Sequence, residues 1–408
     1  MVVLAKEDLL SETFDDQHDE DFRLFLNIPG SDSHAISDHL LPNLLSLQPG
    51  KHCVEELPNL YRPTPMSATG FRFIGSSHCG PLFEKPGRGF VVKVATEERR
   101  NQLWTEFLLN LDVSYALGRE QNNECCTPAA LSFVSTDNST WWNSHRHLLL
   151  ESSWPIPMPS TAIIRERIVP LPKVVRKAII RKLCPTIAEA WIAHVHLWNR
   201  DGLARLYLVQ RERDLAATDF SPENLNLYLD DLVKLGIPVA PYATAMAKTL
   251  AILHWGANID GCGIQFGLAG ASDITYNKAD IYDAFAGRQV TLTYPFDVEG
   301  VLRRRLDVCV TRMFVNDFGN CERWLDEDAK NRPLRVTSNM VRAFFETRPH
   351  FPRPLVNTGS DLEKGLWVVF QDAYLETSAK VSGQKRPMGP ANLPKMFIDG
   401  VLTRGLGI

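Results

Sequence analysis

One lysine, Lys93, stands inside the apolar run Phe90-Val91-Val92-Lys93-Val94-Ala95, and one acid, Glu106, follows it in the next helical pattern. An ammonium on an otherwise apolar strand demands a counter-charge, and Glu106 is placed to supply it. Upstream, Gly75-Ser76-Ser77-His78-Cys79-Gly80 carries the first and third glycines of a G-x-G-x-x-G turn, with Ser77 at the middle position. Glycines there let backbone N–H groups approach phosphate oxygens with no Cβ in the way. Downstream, Asp260 and Gln265 hold the spacing of a base aspartate and a metal-binding amide, and Met313 to Val315 is an apolar run leading to Asp317-Phe318-Gly319. A carboxylate at such a strand end can coordinate magnesium bridging phosphates. Each group also has a plainer reading. Lys93 can snorkel from an edge strand, Asp260 can serve as a turn former before Gly261, and two glycines near a turn are common.

The elements that must carry these groups follow from periodicity. Phe71, Phe73 and the Phe90–Ala95 run predict a small sheet, and Leu103, Trp104, Phe107, Leu108 and Leu111 predict one helix over Glu97 to about Leu117. Residues 145–172 read as a strand pair, through His147-Leu148-Leu149-Leu150 and Ile163 to Val169, followed by an inter-lobe connection at Pro170-Leu171-Pro172. Between Lys173 and Arg213, helix-like and β-like runs alternate, with Trp191, Val195 and Leu197 packing inward. Leu225 to Leu235 reads as a short helix stopped by Gly236 and Pro238; Tyr242, Met246, Leu250 and Leu253 mark a second with one apolar stripe. A stretch rich in Gly and Asp from Gly261 to about Asp283 precedes a strand through Val308, Val310 and Phe314 that delivers Asp317. The long gap between Asp260 and Asp317 calls for an insertion around residues 269–305.

Composition sets bounds. The 408 residues, 44% hydrophobic and 23% charged, suffice for a substantial core, and a net charge of -4 gives no global field for nucleic acid or an anionic membrane. The acidic start, Met1 to Asp21, is unlike a secretory leader, and no long apolar run occurs, so an intracellular and cytoplasmic protein is expected. Eight cysteines without a C-x-x-C pair read as reduced thiols and argue against a structural zinc site. His145 with His147, and His194 with His196, form i, i+2 pairs that lack a third metal ligand; Arg303-Arg304-Arg305 reads as a solvated face, and Trp141-Trp142 as core packing. The expected organisation is an acidic, proline-punctuated extension over 1–65, frayed or loosely docked, with an apolar cluster at His39 to Leu47. An N-lobe over 66–165 and a mainly helical C-lobe with insertions over 166–408 follow.

The fold class expected is α+β, two-lobed and protein-kinase-like. Arg165-Glu166-Arg167-Ile168-Val169-Pro170-Leu171-Pro172, the Leu206 to Gln210 strand, Asn226 to Leu232, Ala251 to Leu268, and Val341 to Phe345 through Pro349 to Pro354 resemble a fungal family of unassigned function. The resemblance covers about residues 70–400; its members are often labelled zinc-finger proteins and are similar to kinases in their glycine loop, lysine strand and late aspartate. Relatives tend to read Asp-Phe-Asp at the late motif, so Gly319 departs toward the kinase form. The kinase likeness implies that Gly75, Ser77 and Gly80 cover phosphates, that Lys93 binds them, and that Glu106 orients Lys93. It further implies that Asp260 accepts the substrate's hydroxyl proton, that Gln265 and Asp317 hold magnesium, and that Glu166 to Ile168 form the hinge beside adenine.

The function expected is an ATP- and magnesium-dependent phosphotransferase acting on a small molecule. Two alternatives stand beside it. One is a non-catalytic, pseudokinase-type binding or scaffold protein with a protein partner, motivated by the missing His-Arg before Asp260 and by Gln265. The other is a fungal secondary-metabolite enzyme, a cyclase or pericyclase with an apolar pocket.

Overall fold

The structure, a computed structural model, describes residues 41–47, 70–85, 89–120, 124–150, 158–171, 173–184, 203–210, 225–272, 309–347, 350–355, 359–385 and 392–405. A single helical turn, α1 (Leu41–Leu44), is followed by the strands β1 (Arg72–Ser77), β2 (Gly80–Glu84) and β3 (Phe90–Val94), and by α2 (Arg100–Arg119). Next come β4 (Cys125–Cys126), β5 (Ala130–Val134), α3 (Ser139–Leu150), β6 (Ala162–Glu166) and α4 (Lys173–Leu183). Two short strands, β7 (Ala204–Leu206) and β8 (Leu225–Leu227), precede α5 (Leu229–Lys234) and α6 (Ala240–Trp255). The long strands β9 (Gln265–Ser272) and β10 (Cys309–Asn316) lead to α7 (Asp326–Asn331), α8 (Pro333–Glu346), α9 (Asp361–Lys385) and α10 (Leu393–Gly405).

The result is a mixed α+β architecture with two five-stranded sheets. The first has the order β1-β2-β3-β6-β5 and is antiparallel throughout. All five β3 residues are buried because both faces of this sheet are covered. Val92 and Val94 pack with Phe83, Trp141, Trp142 and Ile164 on one face, while Leu103, Phe107 and Leu111 of α2 cover Ala130, Phe133 and Ile163 on the other. Lys93, paired in register with Leu82 and Ile163, therefore points toward α2.

The second sheet has the order β4-β10-β9-β7-β8, with β9 and β10 antiparallel and in unbroken register from Asn316↔Gln265 to Cys309↔Ser272. It sits on the largest core cluster, which α6 crosses. The predicted single stripe on α6 understates its burial: Ala243, Ala245, Ala247 and Ala251 are buried as well, because α9 and α2 both pack against it.

Several local expectations change. His147 to Leu150 lies in a helix, not a strand: the Asn138 side chain accepts the Trp141 N–H at 3.1 Å, and this cap starts α3. On a helix, positions i and i+2 diverge by about 200°, so the strand-face metal reading of His145 and His147 is lost; His145 instead stacks on Trp141 at 4.4 Å. Leu225 to Leu227 is a strand and only Leu229–Lys234 is helical. The Gly-rich stretch after Gly261 contains β9. Part of the expected loose extension is firmly docked, since Leu41 and Leu45 are fully buried and the Tyr242 hydroxyl donates to the Leu45 carbonyl. Trp191, His194, His196, Arg303 to Arg305 and most of the 269–305 segment lie outside the described residues. Among the described residues no helix is long and apolar enough to cross a membrane.

Candidate functional site

Lys93 has no solvent exposure, and its Nζ lies 2.5 and 2.6 Å from the two carboxylate oxygens of Glu106, itself 3% exposed on α2. Burial pushes the Glu106 carboxyl up, but the charges of Lys93 and Arg165 and the Lys93 hydrogen bond outweigh it and hold the group below its ordinary value. Asp317 completes the cluster, with Oδ1 3.6 Å from Lys93 Nζ. That oxygen is buried and accepts no hydrogen bond among the described residues, whereas Oδ2 accepts from Gln265 Nε2 at 3.2 Å. Asp317 adopts left-handed backbone angles, φ 70° and ψ 62°, a conformation that costs energy for a residue with a Cβ.

The turn after Asp317 is fixed to α2. Gln102 donates to the Gly319 carbonyl at 2.6 Å and to Asn320 Oδ1 at 3.1 Å. A Cβ at Gly319 would meet Cys79 Sγ at 2.9 Å and Glu106 Oε2 at 3.1 Å. A side chain at this position requires Cys79 or Glu106 to shift. Cys79 itself is inert at neutral pH, its thiol pushed up to about 12 chiefly by burial.

Two adjoining hollows open beside this cluster. The inner one, about 120 Å³, has apolar walls from Ile74, Leu82, Val91 and Ile168 and polar ones from Arg165, Arg205 and Asp317. The outer one, about 330 Å³, is lined by His78, Gly263, Asn320, Glu346 and Thr347. Ser76, Ser77, Arg205, Gln265 and Asp317 border both.

The two predicted loop glycines differ in kind. Gly75, at φ +152°, has open space where a Cβ would go and borders the inner hollow. Gly80, at φ +147°, is required by packing, since a Cβ would fall 2.1 Å from the Val94 carbonyl oxygen. Ser77 Oγ donates to the Gly80 carbonyl at 3.3 Å, within the turn.

Glu166 and Ile168 both line the inner hollow. The Glu166 side chain accepts the Ala129 N–H at 3.0 Å, its own N–H donates to Ala129 O, and the Arg167 N–H donates to Gly89 O. Those amides are committed within the protein. Arg167 and Arg72 both pair with the buried Glu84, which ties this segment to β1 and β2.

Asp260 lines neither of these two hollows. Its carboxylate, 5% exposed, accepts the N–H groups of Cys262 at 3.0 Å and Glu322 at 2.9 Å, and it faces a separate hollow lined by Glu322, Arg323, Trp324, Asp328, Arg335, Val336 and Asn339. Burial raises its carboxyl to about 6 despite those two donors. Nearby His254 is sealed in the core, with Nε2 donating to the Asp260 carbonyl at 3.3 Å and Nδ1 accepting from the Tyr374 hydroxyl at 2.8 Å; burial lowers its value to about 3.

Two arginines at the inner hollow escaped sequence reasoning. Arg165 on β6 is 11% exposed, with Nη1 3.9 Å from Glu106 Oε1 and a buried Nε that has no partner among the described residues. Arg205 stands between the buried Ala204 and Leu206 of β7. The signal was the one that singled out Lys93, a charge set in an apolar strand.

Comparison with known proteins gives one partial match: residues 313–386 match a family described as zinc finger protein. No curated protein and no solved structure matches. The resemblance to a kinase-like family over residues 70–400 is corrected accordingly, since the matching family covers only the stretch from β10 through α9 and nothing matched is kinase-like. That stretch contains one cysteine, Cys321, and one histidine, His350. The Cys321 thiol contacts the Cys262 carbonyl and His350 Nδ1 contacts the Leu206 carbonyl. A structural zinc site takes four ligands, and among the described residues no group of three or more His, Cys, Asp or Glu converges as one.

Proposed function

We propose that this protein binds a purine nucleoside triphosphate with magnesium between two lobes arranged as in protein kinases, and that it transfers phosphate to a small molecule held in the outer hollow. The observation that carries the reading is the meeting of Lys93, Glu106 and Asp317 beside a cleft roofed by the Gly75 turn. The apolar walls of the inner hollow suit a base, and its polar end suits phosphates.

The donor set fits magnesium. Asp317 Oδ1 accepts no hydrogen bond among the described residues, although Lys93 Nζ stands 3.6 Å from it, and Gln265 turns its Nε2 to Asp317 Oδ2, so Asp317 Oδ1 and Gln265 Oε1 are the two hard oxygens that would hold the ion. When bound, magnesium would neutralise charge on the phosphates. Lys93 acts from behind Asp317: it is fully buried, and its ammonium fixes both carboxylates rather than lining the hollow. Glu106 holds Lys93, and Gln265 orients Asp317 through its second oxygen. The Gly75 turn leaves room for backbone to approach a phosphate.

One observation favours a second reading, binding without transfer. Asp260, the base in the transfer reading, has Oδ1 engaged by two backbone N–H groups and lines neither of the two hollows. Calorimetric titration with ATP and magnesium, followed by assay of ADP formation on the same preparation, separates the readings. Binding with turnover lost in Asp260→Asn supports transfer; binding without turnover supports a binding module; absence of binding removes both.

A further inference from the structure

The cations around the cleft are unequal. Lys93 is held by Glu106, Arg165 approaches Glu106, and Arg167 and Arg72 share Glu84. Arg205 makes no side-chain hydrogen bond or ion pair among the described residues, although it borders both hollows. Its strand sets the position: Arg205 is paired in register with Gly267 on β9, and opposed residues of an antiparallel pair share a face. Gly267 contributes no side chain there and lines the same inner hollow.

We propose that Arg205 receives the terminal phosphate of a nucleoside triphosphate, an inference that rests on the nucleotide reading above. The polarity of the cleft gives the direction. A base against Ile74, Leu82, Val91 and Ile168 sends its phosphates toward the end where Ser76, Ser77, Arg205 and Asp317 border both hollows. At that junction Asp317 supplies negative charge for a cation and Arg205 supplies the planar fork of donors that matches phosphate oxygens. The phosphate at Arg205 is then the one presented to the outer hollow.

The test is calorimetric titration of the full chain with ATP, ADP and AMP in magnesium, for the wild type, Arg205→Ala and Arg205→Lys, with thermal melts to verify folding. Arg205→Ala is expected to weaken ATP binding by about ten- to hundred-fold and AMP binding by less than about two-fold, with Arg205→Lys in between. Arg205→Gln replaces Arg205→Ala should the latter melt early. Equal losses for ATP and AMP, or none, overturn the role of Arg205 while leaving the cleft reading intact. A wild type that binds none of the three overturns both.

Discussion

Gly319 lies directly against Glu106: a Cβ on the glycine would come within 3.1 Å of Oε2, and within 2.9 Å of the buried Cys79 sulfur. The Asp317 turn therefore lies so close to the ion pair that a side chain at 319 would displace Cys79 or Glu106. Gly319→Ala is expected to lower stability by about 1–3 kcal/mol, the usual cost of overfilling a packed site. Adding Cys79→Ala should recover part of that loss, because the sulfur is the nearest obstacle. Urea unfolding of the two variants checks this; an unchanged midpoint in Gly319→Ala would show that the turn has slack.

Lys93→Met should be more damaging than its exposure-matched neighbours suggest. Removing one partner of a buried ion pair leaves an uncompensated charge and costs about 3–5 kcal/mol. Lys93→Met with Glu106→Gln removes both charges and is expected to be milder than the single change. Equal destabilisation in the two would mean that Arg165, 3.9 Å from Glu106, already supplies the counter-charge.

The two buried carboxylates give opposite pH dependences. Glu106 titrates below its unfolded value, so its contribution is present above the ordinary carboxylate range and is lost as pH falls through the depressed folded value. Asp260 is raised from 3.8 to about 6, so its protonated form is favoured in the fold. Its contribution is fully present below 3.8 and is lost as pH rises toward about 6. Asp260→Asn is therefore expected to be more stable than wild type at pH 8, by about 1–3 kcal/mol, with the difference shrinking toward pH 4. Chemical unfolding across that range reads the difference directly, and a variant less stable at pH 8 would contradict the assignment.

Much of the Lys93 cluster was legible because a lone charge in an apolar run must find a partner, and the candidates in each neighbouring element were few. Glu106 was found by that logic, and Asp317 by its place before Phe318-Gly319 at the end of an apolar run. Asp260 lines a different hollow, and one group that fixes its carboxylate there, the Glu322 N–H, comes from far along the chain and cannot be read from the Asp260–Gln265 spacing. The second sheet was missed as a sheet: the strand expected over Leu206 to Gln210 falls at Ala204–Leu206, and β8 is likewise three residues, too short for alternation to register. His147 to Leu150 carries an apolar run compatible with either helix or strand, and the deciding Asn138 cap lies outside it. Arg205 was missed with that sheet: without β7 paired to β9, nothing places it beside the inner hollow.

The most direct measurement is titration of ATP into wild type and Asp317→Asn, each with magnesium and with EDTA. Wild type should bind ATP more tightly with magnesium, and Asp317→Asn should lose that dependence while melting at a temperature close to wild type. ATP binding that is absent from wild type, or equally magnesium-dependent in both proteins, would contradict a nucleotide site at Lys93 and Asp317.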